Sequence, residues 1–144
     1  SVIHALEIGY RHIDTAEMYG NEKDVGSAVI DSGLQREEIF ITTKLWNSGL
    51  GFEHALDSFN ESLKKMNLDY VDLYLIHWPE KGSRYEVWNA LERIKKEGRS
   101  RSIGVSNFAP KHLNEILINT DSRPAVNQIE MSPFLQQQGG LLFL

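Results

Sequence analysis

Four side chains spaced along this sequence have types that together suit one task, the delivery of a proton to an oxygen that is gaining negative charge. They are Asp14 and Tyr19 in "GYRHIDTAEMYGNE", Lys44 in "FITTKLW" and His77 in "LIHWP". A tyrosine hydroxyl is a weak acid, with an unperturbed pKa of about 10, and needs a neighbour to act near neutrality. A lysine ammonium beside it favours the phenolate through opposite charge. A buried lysine in turn tends to lose its proton unless an anion pairs with it, and Asp14 is the natural partner. A histidine N–H can then orient a substrate carbonyl and stabilise the charge that develops there. Each residue alone has a plainer explanation: a turn or cap for Asp14, local packing for Tyr19, a solvated strand end for Lys44, a satisfied core histidine for His77. It is the combination that makes a chemical reading worth pursuing.

Such a set works only if a fold gathers it. Short strand-like runs, "YRHID", "EIFITTK", "YVDLYLIH", "SRSIGVS" and "PAVNQIE", alternate with amphipathic stretches. The first of these, "NEKDVGSAVIDSG", places Val25, Ala28 and Val29 at helical spacing and stops at Gly33. "GFEHALDSFNESLKKM" aligns Phe52, Ala55, Leu56, Phe59, Leu63 and Met66 on one face. "RYEVWNALERIKKEG" gives a stripe of Trp88, Leu91 and Ile94 closed by Gly98, and "APKHLNEILIN" opens on Pro110 in a first-turn position. Strands that alternate with helices imply parallel β/α units, because a parallel strand needs a long crossover.

The polar residues choose between the two architectures built this way. Asp14, Lys44, His77 and the pair Ser106 and Asn107 each stand at the C-terminal end of a different predicted strand, and Gln128 lies near the end of the next. Polar ends converging from successive strands are expected at the top face of a (β/α)8 TIM barrel, whereas an open doubly wound sheet gathers its site at one switch point. No G-x-G-x-x-G follows a strand, since "GLGFEH" fails at its last position, so a Rossmann nucleotide site is not expected.

Composition narrows the partners. With 144 residues, 41% hydrophobic and 24% charged, the chain can bury one core, and no linker divides it, so residues 1–144 are read as one domain. A net charge of −5 and a pI near 5.5 argue against nucleic acid and anionic membranes as partners and favour small molecules. The absence of cysteine excludes disulfides and thiolate metal sites; it is compatible with a cytoplasmic address, and no metal is expected. No apolar run reaches the roughly 18 to 20 residues that span a bilayer, and "SVIHALEIGY" lacks signal-peptide grammar. With no initiator methionine, the N-terminus is expected to lie upstream.

The phrases "GYRHIDTAEMYGNE", "ITTKLW", "SLKKMNLDYVDLYLIHWP", "IGVSNF" and "VNQIE" closely resemble the signature segments of the aldo-keto reductase family, in order and from residue 1 to about 138. The resemblance implies a (β/α)8 barrel that binds NADPH without a Rossmann motif and reduces aldehydes and ketones. By it, Tyr19 matches the proton donor, Asp14 and Lys44 the pair that tunes it, and His77 the carbonyl-orienting position. Ser106, Asn107 and Gln128 match positions that hold the nicotinamide carboxamide, for which hydroxyl and amide groups are the right chemical types. Trp46 and Trp78 match aromatic positions near the substrate, with core packing as their plainer reading. The preference for NADPH over NADH rests on the family alone.

Against that pattern the chain is expected to be incomplete, holding roughly strands 2 to 6 with their helices, where a whole barrel takes roughly 250 residues. Its ending, "GGLLFL", does not align. A complete enzyme is expected to be a monomer, and a truncated chain, with strand edges and an apolar interior open, to self-associate and to have little activity. The rival readings are a cofactor-sensing regulatory barrel with weak turnover and an inactive truncated product. Sugar aldehydes, keto acids, quinones and steroids all stay open as substrates.

Overall fold

The protein is described by a computed structural model covering residues 1–46, 51–82, 84–120 and 122–137, so the "GGLLFL" ending lies outside the described residues. Five strands form one sheet: β1 (His12–Asp14), β2 (Phe40–Leu45), β3 (Val71–Ile76), β4 (Ser100–Ser106) and β5 (Asn127–Gln128). Every neighbouring pair is parallel, and the order across the sheet is the order along the chain. Helices α1 (Val2–Glu7), α2 (Glu22–Asp31), α3 (Phe52–Met66), α4 (Arg84–Lys96) and α5 (Pro110–Asn119) precede or connect them.

A doubly wound sheet reverses its strand order at a switch point and carries helices on both faces. Here the order never reverses, and each helix packs on the next, α1 on α2, α2 on α3, α3 on α4 and α4 on α5, as one outer layer. The result is a half-barrel, as the strand-end pattern implied. "PAVNQIE" shortens to a two-residue strand, paired with Val105 and Ser106 of β4.

The outer face of the sheet and the helix stripes make the core. Ala55, Phe59, Leu63 and Met66 of α3 are buried as their spacing predicts, with Phe52 and Leu56 at the margin; Trp88, Leu91 and Ile94 of α4 are buried completely. β3, with partners on both sides, is buried along its whole length. β2 is buried from Ile41 onward, but Phe40 at its start is 41% exposed and sits edge-on to the His12 ring. β2 is therefore open at its entry, on the inner face of the arc.

Strand alternation assigns the faces. Thr43 points outward, where its hydroxyl donates to the buried Glu22 carboxylate of α2 at 2.6 Å. Its neighbours Thr42 and Lys44 must then point inward, and Thr42 does meet His12 there, at 2.9 Å. Away from the site, buried Asp72 near the start of β3 ties three segments together, accepting from Arg36 Nη2 at 2.8 Å and the Ile41 N–H at 2.9 Å while pairing with Arg101 at 3.1 Å. Among the described residues no helix is long and apolar enough to cross a membrane.

Candidate active site

β1 ends at Asp14, and sheet pairing runs one residue further, with the Thr15 N–H donating to the Thr42 carbonyl at 2.8 Å. The chain then makes a 3-10 turn, Glu17–Tyr19, closed by Gly20 at φ 66°. A left-handed residue there lets the chain turn straight into α2. The Thr15 hydroxyl donates to Asn21 Oδ1 at 2.6 Å and pins the base of this excursion.

Lys44 sits one residue from the end of β2, on the inner face. It is 1% exposed, and its Nζ donates to Asp14 Oδ1 and, at 3.0 Å, to the Thr15 carbonyl. A charged lysine survives such burial only with an anion and further acceptors, and these two groups supply them. The same ammonium lies 5.1 Å from the centre of the Tyr19 ring. His77 follows β3 directly, with its ring centre 5.8 Å from that of Tyr19 at 84° and 5.3 Å from that of Trp46 at 80°. Asp14, Tyr19, Lys44 and His77 thus form one cluster drawn from three strand ends.

Burial, and then the Lys44 ammonium, lower the pKa of His77 from its ordinary value, with the Asp14 carboxylate pulling the other way. At neutral pH the ring is therefore uncharged and carries one N–H to give. Its Nδ1 is buried with no hydrogen-bond partner among the described residues.

Ser106 ends β4 and Asn107 follows it in a left-handed conformation, φ 62°. The Asn107 amide donates to the His77 carbonyl and to Ser106 Oγ, both at 3.0 Å, and its backbone N–H donates to the Gln128 carbonyl at 2.9 Å. Ser106 Oγ donates to that same carbonyl at 3.0 Å. Gln128 closes the set by donating from Nε2 to Asp14 Oδ2 at 2.9 Å. One carboxylate oxygen of Asp14 thus serves β2 and the other serves β5, across the hollow of the arc.

The two tryptophans separate. Trp46 is half-buried beside His77, with its backbone N–H donating to Glu17 Oε2 at 3.0 Å. Trp78 is 46% exposed and borders a groove with Asn107, Phe108 and Leu135, so core packing does not describe it. Sequence reasoning passed over Thr15, Glu17 and Asn21, which hold the Tyr19 turn. A threonine and an asparagine flanking a Tyr-Gly step are turn formers, and that was the available signal. Among the described residues no cluster of His, Asp or Glu side chains is arranged to hold a metal ion.

The sequence model described as "Aldo/keto reductase family" matches residues 2–143. The chain is 50% identical over 134 residues to the 9,11-endoperoxide prostaglandin H2 reductase of Trypanosoma cruzi, covering 93% of this chain and 47% of that protein. It is 50% identical over 138 residues to glyoxal reductase of Bacillus subtilis, covering 96% of this chain and 50% of that protein. Among solved structures, an aldo/keto reductase from Brucella melitensis superposes with a TM-score of 0.95 at 52% identity, covering 99% of this chain and 55% of that one. A Bombyx mori aldo-keto reductase in complex with NADP gives 0.94 at 39% identity, covering 99% and 50%. The chain spans about half the length of the curated relatives it matches.

Proposed function

The chain belongs to the aldo/keto reductase family, and on that premise we propose that its strand-end cluster reduces an aldehyde or ketone to the alcohol, with Tyr19 giving the proton. The observation that carries this reading is the buried Lys44 ammonium, held by Asp14 and the Thr15 carbonyl and lying near the Tyr19 ring, with the His77 ring edge-on to that ring. Residues 1–144 are read as part of a barrel domain.

The cofactor proposed is NADPH, the pairing seen in the Bombyx mori relative with NADP. The residues present fit its carboxamide: among the described residues, Asn107 Oδ1 and Gln128 Oε1 accept no hydrogen bond, and Ser106 stands between them with a hydroxyl. Acceptors suit an amide NH2, and the Ser106 hydroxyl, whose one proton goes to the Gln128 carbonyl, braces the pair. When bound, NADPH supplies the hydride for the carbonyl carbon. The chain's own residues do the rest. The neutral His77 ring donates to the carbonyl oxygen and fixes its direction, while Trp46 and Trp78 wall the approach. Tyr19 passes its phenolic proton to that oxygen as the alcohol forms, and the Lys44 ammonium balances the phenolate left behind. Asp14 pairs with Lys44 where water does not reach.

Tyr19→Phe removes the proton and keeps the ring. In the full-length enzyme, NADPH consumption over a panel of aldehydes should fall by about 100-fold or more in kcat, within the range a general acid contributes, while NADPH affinity holds. Loss of affinity in step with kcat would take the proton-donor role away from Tyr19.

A further inference from the structure

The Tyr19 ring is 52% exposed, so packing alone does not hold it, and its aim depends on the turn that carries it. That turn is closed internally by the Tyr19 N–H on the Ala16 carbonyl at 3.0 Å and the Gly20 N–H on the Glu17 carbonyl at 3.2 Å. Thr15 and Asn21 fasten its base. Among the described residues, the hydrogen bond that joins the turn itself to the neighbouring strand end is accepted by the Glu17 carboxylate, from the Trp46 N–H at 3.0 Å.

The geometry of the sheet explains why that N–H is available. Backbone groups along a strand point alternately to its two neighbours. The Thr42 carbonyl bonds to Thr15 on the β1 side, and the Leu45 carbonyl bonds to the His77 N–H on the β3 side. Trp46, in phase with Thr42, must point its N–H toward β1. Yet β1 pairing has already ended there: Asp14 lies opposite Thr42, and the last bond across is the Thr15 N–H to the Thr42 carbonyl. Glu17 supplies the acceptor that a longer β1 would have supplied.

We propose that Glu17 is a positioning residue for carbonyl reduction: its carboxylate fixes the spacing between the turn that bears Tyr19 and the Trp46 corner beside His77. The proposal rests on Tyr19 as the proton donor. Reach is what the role demands, and charge is incidental. Glu17→Gln keeps an acceptor oxygen at the same reach; Glu17→Asp keeps the charge and draws it back by one methylene. Both are mild enough to fold, and melting temperature checks that they have.

In the full-length enzyme, Glu17→Asp should lower kcat about tenfold or more, in line with the cost of small misplacements at a reacting centre, with NADPH affinity unchanged. Glu17→Gln should stay within about threefold of the parent in kcat, with KM less affected than kcat in either variant. Equal losses in the two, the reverse order, or no loss in either overturns the proposal. Tyr19→Phe, run in parallel, separates the two levels. An active Tyr19→Phe removes the reading of Tyr19, whereas an inactive one beside a fully active Glu17→Asp removes only Glu17.

Discussion

Lys44 is 1% exposed, whereas 33% of the Asp14 side chain reaches solvent, so the two ends of this ion pair do not share an environment. Deleting the carboxylate strands an ammonium that cannot rehydrate; deleting the ammonium leaves a carboxylate that still has water and Gln128 Nε2. Asp14→Ala should therefore cost about 3 kcal/mol, the low end for stranding a buried charge, and Lys44→Met about 1 kcal/mol, once solvent screening of Asp14 is allowed for. Urea denaturation of the two variants gives the comparison, and a larger loss for Lys44→Met would contradict it. At this scale the sequence shows residue types at strand ends, and so Asp14, Tyr19, Lys44 and His77 are all legible. Their partners are less so: Gln128 lies 114 residues from Asp14, and nothing local in either segment announces the contact.

Between elements, α2 comes close to the backbone at the end of α3. A Cβ at Gly26 would lie 2.0 Å from the Met66 carbonyl oxygen, a backbone atom that cannot step aside as a side-chain tip can. Glycine inside a helix otherwise costs about 1 kcal/mol against alanine, so the two effects oppose each other. Steric overlap of this size outweighs propensity, and Gly26→Ala should destabilise by about 1 to 3 kcal/mol in thermal or urea unfolding. A stabilised variant would show that α2 can slide on α3. Helices α2 to α5 are readable from apolar spacing and end signals, which local sequence encodes. Glu22 marks the limit: glutamate is a residue type usually exposed, but here, as the first residue of α2, it is buried against Thr43 with Lys65 at 3.7 Å.

For the whole molecule, two histidines link folding to pH. The pKa of His77 is lowered by burial and then by Lys44, and that of His112 by burial and then by Arg84 and Lys111, against the opposing pull of Glu115. Both bind protons more readily in the unfolded chain, where a histidine titrates near pH 6.5. Stability should then be at its full value above about pH 6.5 and decline as pH falls from there toward the lowered folded values. The urea midpoint measured from pH 7.5 down to 5.5 tests this, together with NMR titration of the His77 ring. A rising midpoint on acidification, or a ring that titrates at or above pH 6.5, would refute it. The strand order, never reversing from β1 to β5, is the global fact that turns separate polar strand ends into one site.

By itself the sequence determines the alternation of strands and helices, the residue types that end each strand, and membership of a reductase family. All of these are written in short windows, where hydrophobic period and the point at which it stops suffice. Only the tertiary structure decides which of those ends touch. The division of the Asp14 oxygens between Lys44 and Gln128, the Glu17 acceptor beyond the end of β1, and the backbone contact at Gly26 each depend on strand stagger and helix seating. Those are set by packing between segments far apart in the chain, which no local window contains.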